Sequence, residues 1–587
     1  MEMALIEPRN GVSAPAGGDT SSQHQQQSAS SFRGSVAVDG EPVVAVVPVY
    51  EQELRVGLSR FASFAFGFTE VNVFASLVGS IGLTLAAGGP AMAMWGWVVA
   101  SVATIIVGSS MAEICSAYPS AGSVYHWTAQ LASVERAPLW SFITGWLNFL
   151  GNAAGDASFA YAFAEMLNAA LIAQGSDELS VSTNVAVSIA ALIAWSLLNG
   201  LGIERLGWLT NLAAGLQITS LVVIGIVVMA MTPRLNSISF LFGETYNDTG
   251  FGAFYAVCVG MSAVTFVFTG YEASGHMAEE TFDPEVAAPR GLLWTCIATA
   301  IGGFVFIVPM LLAMPAVAVA VGEDGVSTGT AAVQIYIYAC GRSVAAIVAW
   351  LAVVNLFFAG MSSVSVTARI TFALIRDNAF PMSAALSGVW ERTKAPVKAI
   401  ALCAIFDVLI LLLPLLGAEN GTVVLSAILG LTVVGFQISY AIPIFLRFTE
   451  GKHTFVPNKF ALGRASIPFA ITSTAWLVIT SICLLLPTKR PVTGQNMNYA
   501  GVVLAIVGIV AAAYWNIAGW RQFTGPRRQV VIGSAADPSL PPETTTTTNG
   551  GHRSSLYHEE AEAGLALKPA STQSAMPTTP VVDYGAA

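Results

Sequence analysis

Residues 268 to 276 read Phe268-Thr269-Gly270-Tyr271-Glu272-Ala273-Ser274-Gly275-His276 and follow some sixteen mostly apolar residues. Glycine weakens a helix and a carboxylate is costly in hydrocarbon, so the two together are expected where backbone lines a polar cavity inside a membrane. The plainer reading is the ragged end of a hydrophobic helix with Glu272 among the headgroups. The choice between them depends on what the rest of the chain builds around this stretch.

The 587 residues are 55% hydrophobic and 10% charged, with 54 glycines, and the mean hydropathy is +0.67. Such a chain is too apolar for a soluble multidomain protein and reads as an all-α polytopic membrane protein, since each crossing of a roughly 30 Å hydrocarbon core needs about 20 apolar residues. The net charge of −10 sits largely in loops and tails, and no basic stripe suits nucleic acid. Cys115, Cys258, Cys296, Cys340, Cys403 and Cys483 show no C-x-x-C spacing and fall mostly in apolar runs. They read as packing thiols, with neither a metal site nor a disulfide framework, and no cofactor is implied.

Residues 1–58 are rich in Ser, Gln, Gly and Pro and lack the apolar h-region of a cleavable signal, so they read as a disordered cytoplasmic tail. A transporter-like domain is expected over 59–522, and a second disordered tail over 523–587, where Thr544 to Thr548 form a run. Twelve apolar spans are expected at about 61–87, 92–115, 139–172, 183–202, 206–231, 252–275, 291–314, 344–375, 397–416, 422–446, 468–487 and 499–520. With both termini inside, the outward loops hold only Arg234, Arg342, Lys489 and Arg490, while Arg60, Arg136, Arg290, Arg376, Arg392 and many other basic residues fall inside. That bias matches the positive-inside rule. The sequons Asn247-Asp248-Thr249 and Asn420-Gly421-Thr422 then lie outside.

The first span carries Gly79, Ser80, Ile81 and Gly82 near its middle. Small residues there permit close helix packing. The alternative is an unwound hinge whose outer half directs free N–H groups, at a positive dipole end, toward a substrate carboxylate. Broken helices at corresponding places in two halves point to a transporter site, and 268–275 in the sixth span answers 79–82 in the first. The repeats would run over about 59–231 and 252–447, a 5+5 arrangement with two additional C-terminal helices.

Beyond the second span comes Met111-Ala112-Glu113-Ile114-Cys115, then Tyr118-Pro119, Gly122 and Tyr125-His126-Trp127. Together with Gly88-Gly89-Pro90, Trp95-Gly96-Trp97 and the run from Gly270 to Thr281, these motifs resemble the amino-acid/choline transporter branch of the amino acid-polyamine-organocation superfamily over about residues 60–520. Fungal GABA and choline permeases and plant bidirectional amino-acid transporters belong to that branch. The resemblance implies a 5+5 inverted repeat and alternating access around a site between spans one, three, six, eight and ten. The chain departs from the branch where it has Glu272 in place of the usual Asp, and Ser123-Val124 in place of a common Gly pair.

Several polar groups lie inside the spans. Asp156 in the third reads as interior, for helix packing or for proton or cation passage, with Glu165 nine residues on. The fifth span carries Asn211, Gln217 and Thr219 but no Lys or Arg, so it lacks the lysine that some superfamily relatives place there. Span eight holds Asn355, Ser362, Ser363, Ser365, Thr367 and Arg369; Asp407, Gln437 and Tyr440 follow in spans nine and ten. The segment from Glu279-Glu280 to Glu285 is ordinarily a solvated acidic loop. Its functional alternative is a cytoplasmic gate, in which Glu279 and Glu280 pair with Arg60, Arg136 or Arg376.

The expected function is that of a secondary active permease for amino acids or a small zwitterion such as GABA, coupled to a proton. Backbone at Gly79, Ser80, Ile81 and Gly82 would take the carboxylate. Carbonyls ending the inner half of span one and the first half of span six would take the ammonium; Phe268, Thr269, Gly270 and Tyr271 are the substrate-binding residues of the second break, Phe268 and Tyr271 as a lid or cation–π surface, with Glu272 or Asp156 compensating charge. Choline or polyamine transport, amino-acid exchange, and a non-transporting nutrient sensor are the alternatives; no catalytic constellation suggests an enzyme. The plasma membrane is the expected address, a vacuolar, lysosomal or other organelle membrane the alternative.

Overall fold

The computed structural model describes residues 45–46, 50–320, 331–416, 420–494, 496–528 and 531–532. Two units are distinguished. Of the unit formed by 1–46 with 531–587, the described part is a two-residue antiparallel pair, Ala45 opposite Ile532 and Val46 opposite Val531. The unit from Val47 to Val530 is helical.

Its principal helices are α1 (Arg60–Val71), α2 (Val73–Ala117), α3 (Ser123–Leu131), α4 (Ala137–Ala173), α5 (Val181–Asn199), α6 (Ile203–Met231) and α7 (Ala253–Val267). They are followed by α8 (Ala273–His276), α9 (Pro284–Ala313), α10 (Arg342–Arg376), α11 (Val397–Leu411), α12 (Asn420–Phe448), α13 (Ser466–Leu484) and α14 (Ala500–Tyr514). Most of these helices overlap the apolar spans expected from the sequence; α3 lies between the second and the third. Among the described residues, nine helical stretches are long and apolar enough to cross a membrane. One of them, Arg60–Ala117, includes both α1 and α2 and is interrupted again at Gly89, where φ is +67° and Pro90 restarts the helix.

Helix is the answer to a medium without water, because every backbone group is satisfied within the segment. Hydroxyls in these helices mostly fold back onto the preceding turn: Ser109 donates to the Ile105 carbonyl at 2.7 Å and Thr210 to Leu206 at 2.8 Å. The distribution of side chains is that of a membrane protein. Outward faces carry exposed Leu197, Trp208, Ile226 and Ile509, and α14 buries only Ala500. Asp156, Gln217, Glu272, Arg369 and Asp407 are by contrast in the interior, at most 1% exposed.

Small residues bring selected helices very close. A β-carbon on Gly303 of α9 would lie 1.8 Å from the Trp97 ring of α2, and one on Gly360 of α10 would lie 2.2 Å from the Trp195 ring of α5. Trp97 Nε1 also donates to the Ala300 carbonyl at 2.9 Å. α4 lies against α10 and α12, and α9 packs on both α1 and α2.

The expected tails lie mostly outside the described residues; the parts of them that are described pack against the helices. Residues 50–58, assigned to the first tail by composition, bury Leu54 and Leu58. The backbone N–H groups of Gly57 and Leu58 both donate to the Glu280 carbonyl at 2.9 Å. At the other end Phe523 is buried, and Arg528 donates to the carbonyls of Gln130 and Ala132 at 3.0 Å.

Candidate functional site

Two helix interruptions face each other in the middle of the bundle. The first is at Asn72, between α1 and α2, with φ +40° and ψ +63°, a left-handed conformation that asparagine tolerates better than most side chains. Asn72 Oδ1 accepts from the Ala75 N–H at 3.1 Å and so caps α2; its Nδ2 donates to the Asn355 carbonyl at 2.9 Å. Gln217 of α6 spans the gap. In the amide orientation that satisfies both ends it donates to the Phe68 carbonyl and accepts from the Val73 N–H, each at 3.1 Å. The backbone groups freed by the break therefore find side-chain partners.

The second interruption separates α7 from α8 over Phe268 to Glu272, and Gly270 at its centre has φ +94°. A β-carbon there would lie 3.2 Å from Glu70 Cγ and Oε1. The glycine is thus what lets Glu70, in the last turn of α1, lie against the second break. Glu70 is 2% exposed and its Oε2 has no hydrogen-bond partner among the described residues. Glu272 is fully buried; its Oε2 accepts a hydrogen bond from the Tyr440 hydroxyl of α12, while its Oε1 has no partner among the described residues. Unpartnered carboxylate oxygens this deeply buried are costly and unusual in a membrane protein.

Aromatic rings close over the second break. Phe268 lies on Trp97 with ring centroids 4.6 Å apart, and Tyr271 faces Tyr440 at 5.3 Å. A cavity of about 20 Å³ beside them is bounded by Thr265, Phe268, Thr269, Tyr271, Tyr440 and Trp476. That volume holds about one water molecule, so this conformation is closed to anything the size of an amino acid.

The stretch from Phe268 to Glu272 forms a break where the sequence placed one. The expected hinge at Gly79, Ser80, Ile81 and Gly82 does not form: all four lie within continuous α2, and Ser80 donates to the Ser76 carbonyl at 2.7 Å. The break falls at Asn72 instead. Glycine permits unwinding without causing it, whereas Asn72 supplies both the left-handed residue and the cap for the restarted helix. Gly82 serves packing, since a β-carbon there would meet Ala331 Cβ at 3.0 Å. Glu70 and Asn72 were visible as polar residues within an apolar run, and that was the available signal.

Asp156 lies on α4, accepting from the Ser363 hydroxyl of α10 at 2.5 Å, with its Oδ2 unpartnered among the described residues. It is near enough to Glu70 to interact electrostatically. Asp407 of α11 is also fully buried, and neither of its oxygens has a partner among the described residues.

Next to α8, the acidic segment is an ion-paired layer and not a solvated loop. Arg369 of α10 binds Glu280 through Nε at 2.8 Å, with side chains 1% and 2% exposed. Arg376 engages both Glu279 oxygens at 3.1 Å. The Ser120 hydroxyl and the Ala121 N–H add to Glu279 Oε1 at 3.1 and 3.0 Å. Burial raises the Glu279 pKa, but Arg376 and these donors outweigh it and hold the group below its ordinary value. Asp377 accepts from the hydroxyls of Tyr50 and Tyr125 at 3.0 Å; burial dominates there and pushes its pKa to about 6 despite Arg376. Tyr50 also lies under the Arg376 guanidinium, 3.7 Å from ring centre to Cζ.

Of the expected gate cations, Arg60 forms an exposed pair with Asp283 at 2.9 Å. Arg136 is not part of this layer, pairing with Glu450 at 3.0 Å. Arg369, which is not among the cations expected to pair with this segment, is the buried partner of Glu280, as an arginine inside an apolar span signals.

Sequence comparison agrees with the architecture. The family model for amino acid permeases matches residues 58–510. The chain is 32% identical over 495 residues to the amino-acid permease BAT1 of Arabidopsis thaliana, covering 81% of this chain and 94% of that protein. It is 30% identical to the BAT1 homolog of Oryza sativa, with the same coverage, and 28% identical to amino-acid permease 2 of Neurospora crassa, covering 82% and 87%. With paired helix breaks enclosing buried carboxylates, and a family match across most of its length, the chain belongs to the amino acid permease family within the wider amino acid-polyamine-organocation superfamily and is a multi-pass membrane transport protein, not an enzyme.

Proposed function

We propose that this permease is a secondary active transporter that carries an amino acid, or a related zwitterion such as GABA, by alternating access with a proton as the coupling ion. The observation that carries the reading is the meeting of the two breaks, with Glu70 against Gly270 and Glu272 beneath Tyr440. The first turn of α2, at a positive helix end, is the place for a substrate carboxylate, which would have to displace the caps that Asn72 and Gln217 supply there. This role moves there from Gly79 to Gly82. The carbonyl ends of α1 and α7 suit the ammonium, with Phe268, Thr269, Gly270 and Tyr271 around it. Glu272 is the first candidate to carry the proton, and Asp156 the second.

In this reading the chain crosses the membrane twelve times as a 5+5 inverted repeat with two further helices, and both termini are cytoplasmic. The Arg369–Glu280 and Arg376–Glu279 pairs are then the inner gate, closed here. The plasma membrane is the proposed address. An organic cation such as choline is the second reading, favoured by the two tyrosines beside Glu272.

Counterflow in proteoliposomes distinguishes these cargoes. Saturable exchange of a labelled neutral or basic amino acid, or of GABA, is expected, and a pH gradient should drive its accumulation. Exchange of choline or a polyamine alone would select the second reading; no counterflow with any of them would end both.

A further inference from the structure

We propose that the groove between α1 and α9 is a binding site for an anionic phospholipid of the cytoplasmic leaflet. The groove has a volume of about 390 Å³ and is lined by Arg60, Phe61 and Phe64 from α1 and by Ala287, Arg290, Gly291, Trp294 and Ala298 from α9. The α9 residues recur at helical spacing on one face. From Ala287 to Ala298 that face extends about 17 Å at 1.5 Å per residue. Half of a roughly 30 Å hydrocarbon core is about 15 Å, so the groove is one leaflet deep.

Its chemistry is graded along that length. Arg60 opens α1 and Arg290 stands in the second turn of α9, so both guanidinium groups lie at the same end. Phe61 is 54% and Trp294 58% exposed, and they continue the groove as an apolar wall. The carboxylate close to the arginines is Asp283, paired with Arg60 at 2.9 Å with both side chains 62% exposed. Exposed pairs of this kind are weak and exchange readily. Arg290 is exposed and has no ion pair among the described residues. A phosphodiester accepts from two guanidinium groups, and the acyl chain attached to it covers the aromatic wall. A soluble phosphate would satisfy the arginines but leave Phe61, Phe64 and Trp294 uncovered.

The leaflet named here rests on the orientation given under Proposed function, but binding is read without transport, so the two fail separately. Trp294 is the reporter. The protein is reconstituted into phosphatidylcholine vesicles containing either brominated phosphatidylserine or brominated phosphatidylcholine. The Trp294 signal is the difference between wild type and Trp294→Phe; this subtraction cancels the signal of the other twelve of the 13 tryptophans. Half-maximal quenching is expected at about fivefold lower mole fraction of the serine lipid. Arg290→Gln should bring the two lipids close to parity, and Arg290→Lys should keep most of the preference. Equal quenching by both lipids in the wild type would reduce the groove to ordinary lipid contact and overturn the proposal. So would a preference that Arg290→Gln leaves intact, or one abolished by added inorganic phosphate with no change in vesicle charge.

Discussion

The two helix breaks solve one problem by different means. At the first, the chain supplies amides: Asn72 caps α2 and reaches Asn355, and Gln217 bonds both sides of the gap. At the second, it supplies conformational freedom and charge: Gly270 adopts φ +94°, and Glu272 is held by Tyr440. The backbone of the first break is pinned from two neighbouring helices, α6 and α10, whereas at the second the side-chain hold is that of Tyr440 on Glu272, whose Oε1 has no partner among the described residues. Under the proposed function this difference gives them different tasks, the first a fixed pivot and the second the place where charge would change.

The largest effect should come from attacking the pivot. Asn72→Ala keeps the left-handed backbone but loses the cap, worth about 1 kcal/mol, and adds strain of about 1–3 kcal/mol. Gly270→Ala adds similar strain and a 3.2 Å contact with Glu70 but removes no hydrogen bond. Thermal stability in detergent and uptake should therefore fall more in Asn72→Ala, while Asn72→Gly, which keeps the conformation, should recover stability but not the Asn355 contact. Equal losses in all three would erase the distinction.

An intermediate effect separates charge from geometry. Glu272→Gln should preserve substrate exchange and abolish pH-driven accumulation, while Glu70→Gln, at the pinned break, should weaken exchange and accumulation together. If the two variants behave alike, the breaks share the charge role. Counterflow and gradient-driven uptake on the same vesicles decide.

The smallest effect tests the ion-paired layer next to the second break. Asp377 has its pKa raised from 3.8 to about 6, so between those values the folded protein binds more protons than the unfolded chain and stability falls as pH rises. Asp377→Asn should remove that slope and shift Tm by roughly 2–4 °C relative to wild type near pH 6. A stability profile unchanged over this window would mean that the carboxyl is not insulated as its burial implies.

Much of this was legible in the sequence, for reasons that differ by residue. Apolar spans and the second break are local signals, because two glycines and a glutamate within nine residues cannot be packed away in hydrocarbon. The first break was misplaced because Gly79 and Gly82 are more conspicuous than Asn72, whose effect depends on partners supplied by Gln217 and Asn355 far along the chain. The ion-paired layer was half legible. Glu279 and Arg376 appeared together in the expected gate, but the burial of Glu280 on Arg369 depends on how α10 packs. Composition likewise hid Leu54 and Leu58, two buried residues in a polar neighbourhood.

The Trp97–Gly303 and Trp195–Gly360 contacts carry one more consequence. Each leaves no space for even a methyl group between its helices, so neither pair can slide without one indole leaving its seat. In the alternating-access cycle proposed above, α2 would therefore move with α9, and α5 with α10. Opening in that cycle would have to leave each of these pairs intact and act between them.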